Sequence, residues 1–369
     1  MNKQVGIIFL ILIFSLVFSS CTDEADSKKE NTQFQRQELL NNMANNLIIP
    51  SYNEVILTSI ELNQSIASFS NSPNQASLEQ ARKAWKKAAF AWQFASNFNI
   101  GPAAEMGIQK TLSEEIAIFP ISKDKIENFI LAQDTSFNNF DRDSRGLFGI
   151  EYLLFDENVS DAQVIKKFTN SLWRKNYAQA SSHQFLNRVS TVRIEWNAYL
   201  PIFIAQNGTD IGSSTSYLYN EFLKSFEGLK NFKFGIPLGR RPGQSSTLPQ
   251  TVEACYSGYS TELAKQHWKS IQYIWDGKDV NGMAGIGFKE YLESVEGGSD
   301  LILLTQQQMV NVQVTFDALP DGSLSDAIEQ QFAKPDAVHT ELQKLTRFFK
   351  SDLSSLIGVA VTYSSGDGD

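Results

Sequence analysis

The chain has 369 residues, with 32 lysines and arginines against 41 aspartates and glutamates, and its formal net charge is −9. This balance argues against nucleic acid as a partner and makes cations a more natural ligand than polyanions. The length favours two domains or one duplicated domain, because a single core stops growing at roughly 250–300 residues.

The first 20 residues have the pattern of a secretory signal peptide. Lys3 precedes an apolar run from Ile7 to Phe18, which is shorter than the roughly 20 residues that a membrane-spanning helix needs. The sequence Phe18-Ser19-Ser20-Cys21 resembles the lipobox of bacterial lipoproteins, whose cysteine is acylated. We therefore expect lipidation of Cys21 and attachment to the outer membrane, facing the periplasm or the cell surface. An ordinary secreted protein is the alternative.

Residues 21–33 are predicted to form a flexible tether, because the segment after Cys21 has no apolar residue larger than alanine. Its acidic start resembles the surface-export signal of some Bacteroidetes lipoproteins, and a plain acidic linker is the alternative. With Cys21 acylated, Cys255 is the remaining cysteine, so no intramolecular disulfide is expected.

Helical periodicity covers most of the following chain. Ser77-Leu-Glu-Gln80 has the form of a capping box and predicts the start of a helix. Apolar residues then recur at spacings of three and four, which indicates one buried stripe: Leu78, Ala81, Trp85, Ala88, Trp92 and Ala95. Its partner is the helix predicted over residues 34–69, bent or broken at Pro50. Further helices are expected over 160–205, 213–230, 258–276, 300–316 and 335–357.

The end of the chain and one internal segment interrupt this pattern. Gly358 is predicted to end the last helix, and residues 359–363 alternate like a short strand or an extended tail. Residues 234–250 are rich in glycine and proline, and we interpret them as the connector between an N-terminal domain (34–233) and a C-terminal domain (251–369). Arg240 and Arg241 in this connector could belong to an anion-binding loop, but no P-loop signal accompanies them.

The fold class predicted from these elements is all-α. Strand signals are nearly absent, and long consecutive helices with short connections usually pack antiparallel. Each predicted domain is therefore expected to be a helical bundle.

Four segments together resemble the imelysin family, helical extracytoplasmic bacterial proteins that are classed as peptidases and linked to iron uptake. The segments are residues 81–102, 116–126, 146–155 and 237–257, with the tail 358–369. The third stands in the place of the family's GxHxxE motif. The resemblance implies a duplicated helical-bundle fold with metal ligands at the interface between its two halves.

The motif is altered in this chain. A histidine and a carboxylate at i and i+3 share one face of a helix and can bind one metal ion. Here Phe148 occupies the histidine position, Glu151 keeps the carboxylate, and Ser96 stands where family members often have another carboxylate. Since a catalytic zinc site normally has three protein ligands, the family's peptidase chemistry is not expected. No second histidine or cysteine lies at ligand spacing from any of the three histidines: His183, His267 and His339.

Glu151 and Glu253 are the acids of the best-matched segments, and two interpretations remain open. They could face each other across the interface and bind a divalent metal or iron, or each could be a partly buried acid paired with an arginine such as Arg82 or Arg145. We expect a pocket beside them. Its candidate residues are Arg82, Trp85, Trp92, Ser96, Gly146, Phe148, Tyr152, Tyr256 and Ser257.

The altered motif and the resemblance favour a non-enzymatic binding lipoprotein of the outer membrane with a part in iron or other metal acquisition. An active imelysin-type metallopeptidase with a different ligand set is one alternative, and a scaffold lipoprotein that binds another protein is a second. A divalent metal or iron is the cofactor that the resemblance suggests. A small molecule or an unidentified protein remains open as the ligand.

Overall fold

A computed structural model describes residues 36–157 and 159–363. The predicted signal peptide, Cys21 and the tether lie outside these residues. Within them the chain is helical and has no β-strand, only an isolated bridge between Met106 and Gln109. The predicted all-α fold class is therefore confirmed. None of the helices in these two ranges is both long enough and apolar enough to span a membrane.

In the part of the first half that the structure describes, residues 36–42 are helical and further α-helices follow. They are α1 (Ile49–Asn71), α2 (Gln75–Ala95), α3 (Leu112–Ile116), α4 (Lys123–Leu131), α5 (Gly146–Phe155), α6 (Asp161–Asn170) and α7 (Leu172–Ala205). A π-helical stretch, Met43–Ile48, leads directly into α1. The chain stays helical through Pro50, which lies in the first turn of α1, where the missing N–H costs little.

The second half contains the remaining helices. They are α8 (Ser214–Glu227), α9 (Ser260–Trp275), α10 (Phe288–Glu293), α11 (Gly298–Asp317), α12 (Leu324–Gln330), α13 (Ala333–Arg347) and α14 (Leu353–Ile357). Two π-helical stretches extend α8 and α13: Gly228–Gly235 and Phe348–Asp352.

Helices α1 and α2 form the predicted hairpin, but the capping box lies one turn earlier than the sequence suggests. Asn74 is the N-cap, because its Oδ1 accepts a hydrogen bond from the Ser77 amide (3.1 Å) while Ser77 Oγ accepts one from the Asn74 amide (3.2 Å). Ser77 therefore lies at the third helical position. The predicted buried stripe of α2 is confirmed, since its six side chains are all at most 3% exposed.

Aromatic contacts connect α8 to helices that follow the glycine- and proline-rich connector. The Phe222 ring lies 5.1 Å from the Phe288 ring and 4.8 Å from the Phe349 ring, measured between centroids. Trp275 also packs against Phe349, at 5.5 Å. The rings of α8 and α9 therefore share one core with the C-terminal helices, and the domain boundary at 234–250 stays a prediction.

The last described residues form an extended tail. Gly358 ends α14 in the left-handed conformation (φ 65°), as predicted. Asn220 then binds the tail through its side chain, because its Nδ2 donates to the Ala360 carbonyl (3.1 Å) and its Oδ1 accepts from the Thr362 amide (2.8 Å). The Asn220 side chain thus makes two hydrogen bonds to the backbone of the tail, as a neighbouring strand would in a sheet.

Candidate functional site

The altered motif begins at Gly146, the first residue of α5. Gly146 has φ 71°, and a Cβ atom there would lie 2.0 Å from the Ile116 carbonyl oxygen. Only glycine fits this position, because L residues rarely adopt positive φ and no side-chain atom fits against the carbonyl. The close approach allows α5 to start against the end of α3. The side chains of the motif are therefore held inside the protein.

Phe148, in the motif's histidine position, is part of the core. Its side chain is 1% exposed, and its ring meets Phe119 edge to face with centroids 5.6 Å apart. A benzyl ring has no lone pair for a metal ion. Its edge-to-face contact is one of the arrangements that aromatic pairs prefer. Position 148 therefore contributes to stability through packing.

Glu151 holds a turn of the chain in place. Its buried Oε1 accepts hydrogen bonds from the backbone amides of Tyr256 (3.0 Å) and Ser257 (2.7 Å). Burial, together with the charge of Glu253, raises the pKa of this carboxyl to about 8, although the two amides oppose the shift. In the same turn, burial raises the pKa of the free Cys255 thiol to about 12, so this cysteine is not an activated nucleophile.

Glu253 is paired within the chain. Its Oε2 lies 2.7 Å from Lys233 Nζ, and its Oε1 accepts a hydrogen bond from Gln93 Nε2 at 3.2 Å. Lys233 Nζ also donates to Gln93 Oε1 at 2.6 Å, so the three side chains form a closed ring. The Lys233 and Glu253 side chains are 7% and 4% exposed. An ammonium group therefore stands beside the carboxylate where a bound cation would have to lie.

The two arginines considered as partners for these acids pair elsewhere. Arg82 Nη1 lies 2.8 Å from Asp161 Oδ1, and its Nε donates to the Leu154 carbonyl. Arg145 Nη2 lies 2.9 Å from Glu115 Oε2. The internal partner of Glu253 is thus a lysine, and Glu151 is held by backbone amides.

A cleft of about 560 Å³ opens next to this ring of side chains. Apolar groups of Trp92, Phe119 and Phe232 line part of it, and Lys233 and Glu253 line another part. Ser96 and His267 also border the cleft. It therefore combines apolar walls with a few buried polar groups, as small-molecule sites commonly do.

The other predicted pocket aromatics lie outside this cleft. Trp85 is fully buried, and its Nε1 donates to the Leu147 carbonyl at 2.7 Å. The Tyr152 and Tyr256 rings contact each other edge to face, with centroids 5.3 Å apart. These three side chains pack around α5 and the turn that Glu151 holds.

A network of hydrogen bonds that the sequence does not identify includes two residues that line the cleft, Ser225 and His267. Asn97 Nδ2 donates to the Gln93 and Phe94 carbonyls, which orients Oδ1 as an acceptor for Ser225 Oγ at 2.5 Å. His267 Nε2 lies 2.7 Å from Ser225 Oγ, and the tautomer that fits a hydroxyl proton directed to Asn97 has Nε2 as the donor.

This arrangement differs from the usual activation of a serine, in which the histidine accepts the hydroxyl proton. Burial lowers the pKa of His267 well below its ordinary range, and the charge of Lys233 lowers it further, so the imidazole is neutral. A histidine that donates to Ser225 cannot accept its proton as a base. No sequence motif marks these three residues, because Asn97 lies in the turn after α2, Ser225 in α8 and His267 in α9.

Within residues 36–157 and 159–363, no three or more histidine, cysteine, aspartate or glutamate side chains are grouped so that they could hold a metal ion. The assignment of Glu151 and Glu253 as metal ligands therefore stays a prediction.

Comparison with known proteins gives consistent similarities. A family model described as imelysin, peptidase M75, matches residues 48–350. The iron-regulated protein A of Synechococcus elongatus is 21% identical over 272 residues, which cover 70% of this chain and 71% of that protein.

Two solved structures share the fold. An imelysin-like protein from Psychrobacter arcticum superposes with a TM-score of 0.71 at 18% identity, covering 90% of this chain and 98% of that one. A structure described as an iron-regulated protein A precursor from Parabacteroides distasonis has a TM-score of 0.67 at 16% identity and covers 86% and 95% of the two chains.

Proposed function

Because the chain belongs to the imelysin family, we propose that it is a non-enzymatic binding protein of the bacterial cell envelope. The observation that carries this proposal is that the residues of the motif and Glu253 make packing contacts, hydrogen bonds or an ion pair within the chain. Phe148 is packed in the core, Glu151 holds a backbone turn, and Glu253 is paired with Lys233. A catalytic zinc site needs about three protein ligands and an open position, and these residues already have other partners.

The cleft beside Glu253 is the site where we place the ligand. Its volume of about 560 Å³ is suited to a small molecule. Trp92, Phe119 and Phe232 provide apolar contact, while Lys233 and His267 supply buried polar groups. These linings favour a ligand with an apolar body and a small polar group.

A part in iron or other metal acquisition is the physiological role that we propose. It is supported by the relatives that bear the name iron-regulated protein A. A deletion strain is expected to grow normally in iron-replete medium and to fall behind the parent strain when iron is limiting. Equal growth of both strains under iron limitation would contradict this role.

Metal content and peptide cleavage test whether the protein is an enzyme. Protein purified without tags or chelators is expected to contain zinc and iron well below one ion per chain and to lack chelator-sensitive peptidase activity. The matched variant is Phe148→His, which returns the imidazole of the motif three residues before Glu151 and should bind more zinc than the natural chain. Stoichiometric zinc in the natural chain, with cleavage that a chelator abolishes, would overturn the proposal.

We also propose that acylated Cys21 anchors the protein to the outer membrane. The lipobox-like sequence supports this, and several acyl chains would give stable attachment. A Cys21→Ala variant is expected to move from the membrane fraction to the soluble fraction, whereas a matched Cys255→Ala variant should stay with the membrane. Retention of Cys21→Ala in the membrane fraction would contradict lipid anchoring.

A further inference from the structure

A second cavity, of about 300 Å³, lies between the end of the π-helical stretch Gly228–Gly235, the connector and α13. It shares no lining residue with the cleft beside Glu253. Its lining includes four basic side chains: Lys230, Arg240, Arg241 and His339. Among the described residues that line it, none is an aspartate or a glutamate, although Asp336 binds Arg240 from outside the lining. In a chain with net charge −9, three cationic side chains and a histidine around one cavity are a local concentration of basic groups.

The cationic side chains that line the cavity differ in their exposure to solvent. Lys230 is 1% exposed, and its Nζ donates to the Thr346 hydroxyl at 3.1 Å. Arg240 is exposed and binds Asp336, since its Nε and Nη2 both lie 2.7 Å from Oδ1. This pair attaches the connector to α13. The charge of Arg240 is therefore compensated within the chain.

Arg241 and Gly235 shape the cavity. The Arg241 guanidinium lies over the Phe232 ring, 5.5 Å from its centroid, which orients the planar group. A Cβ atom on Gly235 would lie 3.5 Å from His339 Nε2 and 3.2 Å from the Lys230 carbonyl oxygen. The absence of a side chain at this position keeps open the space between the basic groups.

We propose that this cavity binds a phosphate-class oxyanion through Lys230, Arg241 and His339. A guanidinium presents paired N–H donors that match the oxygens of phosphate, and a buried ammonium adds a concentrated charge. The inference concerns a site separate from the cleft, so it does not depend on the proposed function.

His339 provides a direct reporter of occupancy. Burial, together with the charges of Lys230 and Arg240, lowers its pKa to about 4, while Asp336 acts in the opposite direction. Arg241 also lines the cavity. A bound anion would offset the nearby positive charges and favour the imidazolium form, so the pKa of His339 should rise on binding.

The test is an NMR titration of the purified full chain with inorganic phosphate. The chain has three histidines, so selective labelling gives few signals. Phosphate is expected to shift the His339 signals saturably and to leave those of His183 in place. Arg241→Gln removes a donor pair and should weaken phosphate binding about tenfold, since a charge-assisted hydrogen bond contributes that much affinity.

Two further variants keep the result interpretable. Gly235→Ala places a methyl group 3.5 Å from His339 Nε2 without changing the charge of the cavity, and it should weaken phosphate binding. Arg193→Gln is the matched control, because Arg193 binds the neutral side chains of Asn53 and Asn197 on another part of the surface. The control variant should bind phosphate as the natural chain does.

The source of the phosphate group is distinguished by a parallel titration with dihexanoyl phosphatidylglycerol below its micelle concentration. Binding of inorganic phosphate alone supports a free anion as the ligand, and preference for the lipid supports a headgroup. Failure of both to shift the His339 signals, or equal weakening by Arg193→Gln, would overturn the proposal.

Discussion

Lys233 Nζ lies 2.7 Å from Glu253 Oε2, and both side chains are buried. The carboxylate that the sequence suggests as a metal ligand therefore has a cation partner supplied by its own chain. Pairing of this kind is costly to disrupt on one side only, because the remaining charge stays buried without compensation. The pair thus affects both the stability of the protein and the ability of Glu253 to bind a metal.

Replacement of Lys233 alone should be strongly destabilising. Lys233→Met leaves the Glu253 carboxylate buried with only Gln93 as a neutral partner, and we expect a loss of about 3–5 kcal/mol in the free energy of unfolding. Urea denaturation followed by circular dichroism measures this loss. The double variant Lys233→Met/Glu253→Gln, which removes both charges, should recover much of the stability. A loss below about 1 kcal/mol in the single variant would show that the pair is not tightly coupled.

Glu151 should make stability depend on pH. Its pKa is raised from 4.5 to about 8 in the folded protein, so folding favours the protonated carboxyl. The stabilising contribution is complete below pH 4.5 and is lost as pH rises through 8, with a slope of up to about 1.4 kcal/mol per pH unit. Glu151→Gln keeps an acceptor for the Tyr256 and Ser257 amides and should remove this slope.

Urea denaturation at pH values between 5 and 9 provides the measurement. Glu61→Gln is the control, because Glu61 is a partly exposed acid paired with Lys87. This control should leave the pH profile as it is in the natural chain. An unchanged slope in Glu151→Gln would mean that another group causes the dependence.

The helices could be predicted from the sequence because their burial follows a regular spacing. Trp85, Trp92 and the small residues between them recur every three or four positions, and the structure buries all of them. The N-cap is harder to locate, because Asn74 and Ser77 are both good capping residues and only the backbone shows which one precedes the first turn.

The candidate site could be predicted only in part. The substitution of Phe148 in a known motif is visible in the sequence, as is the carboxylate of Glu151. The partner of Glu253 is not visible, because Lys233 lies on a π-helical stretch and no spacing rule connects the two residues. The bond between Ser225 and His267 likewise arises from the packing of two helices, α8 and α9.

The structural requirement for glycine at position 146 can be tested by comparison with a second glycine that also has positive φ. Gly146→Ala combines a positive φ with a Cβ atom 2.0 Å from the Ile116 carbonyl oxygen, so we expect a loss of about 3 kcal/mol or more. Gly107 has φ 64° but no atom within 4 Å of its added Cβ. Gly107→Ala should therefore cost only about 1 kcal/mol, the price of the backbone conformation alone. Equal losses measured by urea denaturation would show that the close approach at Gly146 relaxes freely.

Phe148 should behave as a core residue. Phe148→Ala removes a ring that is 1% exposed and in edge-to-face contact with Phe119, and such truncations cost about 3–5 kcal/mol. Phe140→Ala is the matched control, since its side chain is 72% exposed and its loss should change stability by less than about 0.5 kcal/mol. Thermal and urea denaturation of both variants give the comparison. A loss at position 148 no larger than that at position 140 would mean that the ring is dispensable for packing, and its presence in the motif would then need an explanation in ligand binding.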